Sequence, residues 1–175
     1  MTVDGFFEGS NKEIDWHHVD QEFNDFAIEQ LDSAGALIFG RITYTMMAGY
    51  WETADAAKDD VEVAERMNSL PKIVFSRTLE NANWINTKLV KSIEKEEIEN
   101  LKNKSSKDIF ILGSGNLAHS LRQLDLIDEY RIMVNPIILG KGNPLFPASD
   151  KLENLSLFKS RTFKNGNVLL IYRKA

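Results

Sequence analysis

The chain has 175 residues, 43% of them hydrophobic and 27% charged, enough material in the right balance for one domain with a substantial core. A net charge of −5 disfavours a nucleic-acid partner, and the absence of cysteine excludes disulfides, thiolate nucleophiles and sulfur-ligated zinc. No apolar run approaches the roughly 18 residues of a membrane helix and no signal-peptide pattern opens the chain, so a cytoplasmic protein with no membrane partner is expected.

Residues 1–5, Met1-Thr2-Val3-Asp4-Gly5, read as the exit of a strand, and residues 5–18 as a loop marked by Gly5, Gly9, Ser10 and Asn11. Residues 20–32 place Phe23, Phe26, Ala27 and Leu31 at helical spacing, with Asp20 as N-cap. Ala36-Leu37-Ile38-Phe39, between Gly35 and Gly40, is a short apolar run suited to a strand covered on both faces. A short helix is predicted over 43–50 and a second over 54–70, ended by Pro71. Lys72-Ile73-Val74-Phe75 is the next buried strand. A weaker strand covers 87–90, and a charged surface helix 93–103. Asp108-Ile109-Phe110-Ile111-Leu112 is the third buried strand, followed by a helix over 116–124 and a strand over 129–134. Residues 136–147 are a Gly/Pro-rich loop, and 156–173 a hairpin turning at Asn165-Gly166. Strands alternating with helices and closing on a hairpin predict a single α/β domain. Its expected architecture is three-layered: a mostly parallel twisted sheet flanked by helices, with an antiparallel C-terminal hairpin.

In open α/β sheets, ligands bind beyond the carboxyl ends of parallel strands. Three exits are suggestive here. Gly40-Arg41-Ile42-Thr43 sits at a helix start, where unpaired N–H groups and the positive dipole end favour an anion. Arg41 adds a cation and Thr43 a hydroxyl; the plainer alternative is a turn glycine beside a solvated arginine. Ser76-Arg77-Thr78 flanks a guanidinium with two hydroxyls, a set suited to a phosphate monoester such as the one that distinguishes NADP from NAD. Its plainer alternative is a strand-to-turn exit capped by Ser76. Gly113-Ser114-Gly115-Asn116 lets backbone approach a pyrophosphate ahead of another helix. This is not the full dinucleotide fingerprint, since Ala118 stands where the third glycine belongs, and no P-loop lysine follows. His17, His18 and His119 lack the spacing of a metal site, so no metal is expected. No Gly-x-Ser-x-Gly nucleophile elbow occurs.

The ordered set Ile38-Phe39-Gly40-Arg41-x-Thr43-Tyr44 with Met46-Met47, Val74-Phe75-Ser76-Arg77-Thr78-Leu79, and Ile111-Leu112-Gly113-Ser114-Gly115-Asn116-Leu117 resembles the dihydrofolate-reductase-like superfamily. Val3-Asp4-Gly5, Leu126-Ile127-Asp128-Glu129-Tyr130, Pro136-Ile137-Ile138-Leu139-Gly140-x-Gly142 and Leu145-Phe146 bring it closer to the bacterial reductase domain of riboflavin biosynthesis. The resemblance spans nearly the whole chain. It implies NADPH as hydride donor, with Gly40, Arg41 and Thr43 at its phosphates. Ser76 and Arg77, with Thr78 beside them, would hold the 2′-phosphate, and Gly113, Ser114, Gly115, Asn116 and Leu117 would line the pyrophosphate and ribose. It implies a homodimer, and a first strand that is largely missing ahead of Thr2.

A hydride reductase orients donor and acceptor and places a proton nearby. The carboxylates Asp20, Glu22 and Asp25 are available on the helix where the superfamily places one, and Asp4 lies near the nicotinamide by analogy; Asp4 and Glu22 are the catalytic candidates. Trp16 and Phe23 are candidates to stack on a planar substrate, and Lys141 to meet its phosphate. The expected activity is reduction of a pterin- or pyrimidine-like heterocycle, resembling 5-amino-6-(5-phosphoribosylamino)uracil reductase. A dihydrofolate reductase, or a module that holds NADPH without turnover, are alternatives. A phosphoryl-transfer enzyme would need Mg²⁺-ligating carboxylates near Gly113, which the sequence does not offer.

Overall fold

A computed structural model describes residues 1–148 and 152–175. In chain order the elements are β1 (Phe6–Glu8), α1 (Gln21–Ser33), β2 (Ala34–Gly40), α2 (Arg41–Trp51), α3 (Ala56–Asp59), α4 (Val61–Ser69), β3 (Lys72–Phe75), β4 (Thr87–Val90), α5 (Lys95–Lys104), β5 (Asp108–Gly113), α6 (Gly115–Gln123), β6 (Glu129–Val134), β7 (Asn143–Pro144), β8 (Leu155–Thr162) and β9 (Val168–Lys174). They fall into two compact units: a middle unit, Asn24–Leu126, and a terminal unit made of Met1–Phe23 and Ile127–Ala175.

The middle unit is built on a four-stranded sheet in the order β4-β3-β2-β5, every pair parallel. Apolar continuity selects the centre: β2 is buried at every position except Gly35. β5, at the end of the order, is less enclosed than its apolar run suggests, with Leu112 39% exposed. The core gathers Leu37 and Phe39 of β2, Val74 of β3, Leu31 of α1, Tyr44 of α2, Val63 and Met67 of α4, and Trp84. Burying each such side chain contributes roughly 1.5–3 kcal/mol. Phe39, Tyr44 and Trp84 stack with centroids 5.8 to 6.5 Å apart. Their polar tips are satisfied. Trp84 N–H donates to the Tyr44 hydroxyl oxygen at 3.0 Å, and Trp84 Nε1 to Asn68 Oδ1 at 2.7 Å.

Lys72 is 1% exposed, yet among the described residues its hydrogen bonds go to carbonyls and not to a carboxylate. Its Nζ donates to the carbonyls of Met67, Asn68 and Leu70 at 2.7, 3.1 and 2.8 Å and lies 4.6 Å from the centre of the Trp84 ring. These carbonyls belong to the last turn of α4 and its C-cap, the negative end of a helix, where a cation is favoured.

The helix expected over 54–70 is two helices. Asp60, at φ −133° and ψ 55°, breaks it between α3 and α4. Asp55, Asp59, Asp60 and Glu62 crowd this stretch, and aspartate competes poorly for helix interiors.

In the terminal unit, β9 lies between β6 and β8 in an antiparallel sheet. The expected hairpin is present. Its loop is Lys164-Asn165-Gly166, three residues rather than two: Phe163 N–H bonds to Asn167 O at 2.9 Å, and Gly166 N–H to Phe163 O at 3.0 Å. Gly166 takes φ +89°, the left-handed residue that closes such a loop. Two segments read as loop contain a short pairing, β1 against β7. Three residues are too few to display alternation, so only their partner reveals them as strand. Thr2 bridges Asn135 in parallel, and both are essentially inaccessible to solvent. Asn135 N–H donates to Met1 O at 2.8 Å; in its side chain, Nδ2 donates to the same carbonyl at 3.4 Å and Oδ1 accepts from His18 N–H at 3.1 Å, so the buried amide is used on both sides. No helix among the described residues is long and apolar enough to cross a membrane.

Candidate cofactor cleft

Parallel pairing puts the carboxyl ends of all four middle-unit strands on one edge of their sheet. A cleft of about 600 Å³ opens there, a size ordinary for a small-molecule site. All three predicted exits contribute to it: Gly40, Arg41 and Ile42 from the first, Ser76 and Arg77 after Phe75 from the second, and Ser114, Asn116 and Leu117 from the third.

α2 begins at Arg41 with Gly40 as N-cap, and α6 begins at Gly115 with Ser114 as N-cap; neither cap makes a side-chain hydrogen bond. The first N–H groups of both helices therefore have no capping acceptor, and the positive dipole end of each reinforces them. Glycine is needed for the two exits to meet. A Cβ on Gly40 would lie 2.7 Å from Ser114 Oγ, and one on Gly113 would lie 2.8 Å from Thr43 Oγ1. Gly113 also holds φ +131°, a region L side chains rarely enter, and the Gly113–Ser114 peptide is cis. Thr43 thus packs on Gly113 and does not line the cleft; Thr78 and Gly115 are likewise outside its lining.

Ser76 Oγ accepts from Thr78 N–H at 3.2 Å and from Leu79 N–H at 2.9 Å. The plainer reading of Ser76 as a turn cap is therefore what its oxygen does, while its proton is left to donate to a ligand. Sequence reasoning missed Lys91, Ser92, Ile93 and Ser120, which also line the cleft. A signal for the first two existed: β4 runs parallel to β3 and ends level with it, Phe75 opposite Val90, so Lys91-Ser92 is a fourth exit on the same edge. Among the described residues the lining carries three cations, Arg41, Arg77 and Lys91, and no carboxylate. Ile42, Phe75, Ile93 and Leu117 supply its apolar surface.

The catalytic and substrate candidates lie in the terminal unit. The Asp4 carboxylate accepts from Leu139 N–H at 3.1 Å and Gly140 N–H at 2.7 Å. The Thr2 hydroxyl, then these amides, hold its carboxyl below the usual carboxylate range. Glu22 accepts from Lys164 N–H at 2.9 Å and faces Arg161 at 3.6 Å, so it anchors the β8–β9 loop. Both carboxylates are engaged within their own unit. Trp16 and Phe23 flank His17, with ring centroids at 6.5 Å and 4.7 Å. Desolvation, aided by the charged N-terminus and His18, pushes the His17 imidazole below its usual range, which favours its neutral form. Trp16 Nε1 is buried with no hydrogen-bond partner among the described residues. Lys141 is exposed in the loop after Gly140. That loop passes so close to β1 that a Cβ on Gly142 would meet the Glu8 carbonyl.

The family model of the RibD C-terminal domain matches residues 1–169. The chain belongs to that family. This RibD C-terminal-type domain is 34% identical over 178 residues to the uncharacterized protein YyaP of Bacillus subtilis (strain 168), spanning 98% of the chain and 90% of that protein. Its fold matches a putative riboflavin biosynthesis protein of Shewanella sp. PV-4 with a TM-score of 0.77 at 23% identity, over 100% of this chain and 95% of the other. Acinetobacter baumannii RibD matches at 0.71 and 14% identity, over 99% of this chain and 55% of that one. A pyrimidine reductase-like protein of Corynebacterium diphtheriae NCTC matches at 0.66 and 14%, over 100% and 89%. At these identities the structural matches establish the fold alone. It is the dihydrofolate-reductase-like fold of riboflavin-biosynthesis reductase domains, as the ordered motifs implied, and the family is one of reductases.

Proposed function

We propose that this domain is an NADPH-dependent reductase of a pterin- or pyrimidine-like heterocycle, of the kind reduced in riboflavin biosynthesis. The observation that carries the reading is the cleft in which three strand exits and two helix starts converge on a lining that, among the described residues, has three cations and no carboxylate. Such a donor set suits a ligand with several phosphates, and the apolar patch suits the base and ribose between them. Bound there, NADPH supplies the hydride. Arg41 and the leading amides of α2 and α6 bind the pyrophosphate in this reading, and Ser76 and Arg77 bind the 2′-phosphate. Trp16 and Phe23 are assigned to the heterocycle and Lys141 to the phosphate it carries. The active form is proposed to be a homodimer.

Titration of the three tryptophans' fluorescence with NADPH and NADH tests the cofactor. NADPH should bind more tightly, and Arg77→Ala should narrow the gap. Equal affinity for both nucleotides in the wild-type protein refutes NADPH. Oxidation followed at 340 nm across a panel of pterins and aminouracils, with and without a ribose phosphate, tests turnover. Tight binding with no turnover on any of them would leave a binding module. Sedimentation velocity reads the oligomeric state.

A further inference from the structure

The Ser76–Leu79 turn carries Arg77 into the cleft, and it is tied to β4 at both ends. At its start, Ser76 N–H donates to Val90 O at 3.0 Å, extending the β3–β4 ladder. At its end, the next residue along from Val90 reaches back: Lys91 Nζ donates to the Leu79 carbonyl. Between these ties the Ser76 hydroxyl oxygen gathers the amides of Thr78 and Leu79. Arg77 is the one residue of the turn that is both exposed and part of the cleft lining. It has no ion-pair partner among the described residues, so the backbone of the turn sets the position from which its guanidinium reaches. Among the described residues, the hydrogen-bond partner of the Lys91 ammonium is this neutral carbonyl of the turn.

We propose that Lys91 is a positioning residue for cofactor choice: by holding the Leu79 carbonyl it sets the Ser76–Leu79 turn, and so places Arg77 to take the 2′-phosphate. The assignment rests on the NADPH reading above. A long flexible cation on an exposed turn would otherwise lose rotamer freedom and backbone freedom together on binding, and pre-ordering the turn removes the second of these costs. Lys91 thereby acts on the phosphate through Arg77.

A double-mutant cycle tests this, with NADPH and NADH affinities measured for wild type, Lys91→Met, Arg77→Ala and the pair. Arg77→Ala should weaken NADPH by roughly ten- to a hundredfold, the scale of one or two lost charge-assisted bonds. Lys91→Met should weaken NADPH about tenfold and NADH hardly at all, and Lys91→Arg, which can still donate to the carbonyl, should restore most of the loss. In the Arg77→Ala background, Lys91→Met should cost almost nothing further, because its effect passes through the missing guanidinium. Thermal melts of each variant, with Lys91→Gln as a second removal of the amine, establish that the folded protein is being compared.

Multiplying losses in the double variant would overturn the proposal, since Lys91 would then be an independent charge. An equal loss for NADPH and NADH would also overturn it, pointing to general support of the cleft. If wild type prefers NADPH and Lys91→Met keeps that preference unchanged, the positioning role fails and the cofactor reading stands. If wild type shows no preference, both fall.

Discussion

Gly113→Ala isolates what the third strand exit demands of its backbone. Two separable costs follow from its geometry. The first is conformational: φ at Gly113 is +131°, and holding a residue with a Cβ in such a region costs on the order of 1–3 kcal/mol. The second is steric. The new methyl would sit 2.8 Å from Thr43 Oγ1 and 3.1 Å from Thr43 Cγ2, while Thr43 Cβ, at 3.4 Å, is an ordinary contact. Overpacking of this kind costs about 1–3 kcal/mol. The single variant should therefore lose on the order of 4 kcal/mol. Thr43→Ala deletes both offending atoms and leaves the Cβ, so Gly113→Ala/Thr43→Ala should recover the steric part and retain the conformational one. Urea unfolding of the four proteins, fitted with a common m-value, measures this as a coupling energy of about 1–3 kcal/mol. A neutral Gly113→Ala would refute both parts. Full recovery in the pair would refute the backbone part, and no recovery the contact with Thr43.

Arg41→Ala should weaken NADPH and NADH alike, by roughly tenfold, because the pyrophosphate is common to both; a loss confined to NADPH would place Arg41 at the 2′-phosphate instead. Gly40→Ala should reduce affinity for both nucleotides and lower the melting temperature, since its methyl would meet Ser114 Oγ at 2.7 Å and Ser114 N at 3.3 Å; unchanged affinity would mean the two exits do not need their close approach. Burial pushes the Lys72 ammonium down to about 8, whereas the unfolded chain holds that proton to about 10.4. Between these values the unfolded state binds more protons, so this group's contribution to stability rises with pH over that window. Wild type should gain stability relative to Lys72→Met between pH 8 and pH 10 in urea unfolding, and a relative loss would show that the three carbonyls outweigh desolvation.

Much of the fold was legible because its signals are local. The run Ala36-Leu37-Ile38-Phe39 has no polar residue to give a solvent face, so it reads as a central strand and is one. Asp20 as helix cap is equally local, and Phe23 N–H does donate to its Oδ1 at 2.9 Å. The single helix over 54–70 failed because helical periodicity does not register a local break: Val63, Ala64 and Met67 line the buried side of α4, while Val61, expected beside Ala64 and Met67, is 48% exposed. At the cleft, Gly40-Arg41 and Gly113-Ser114-Gly115 were legible as turn chemistry next to helix starts. Lys91 was not, because its strand is short and half-buried and no glycine marks its exit.

The sequence by itself determined the longer strands and, at the exits after Phe39, Phe75 and Leu112, what charge and flexibility stand there, since those depend on neighbours a few residues apart. Only the tertiary structure decided which ends meet. Parallel registry carries Arg41, Arg77 and Lys91, distant in sequence, to one edge. The same long-range pairing engages Asp4 with the amide of Gly140, 136 residues away, and Glu22 with that of Lys164, 142 residues away. A carboxylate's role is set by the hydrogen bonds that close around it, and no local pattern records a partner so far along the chain.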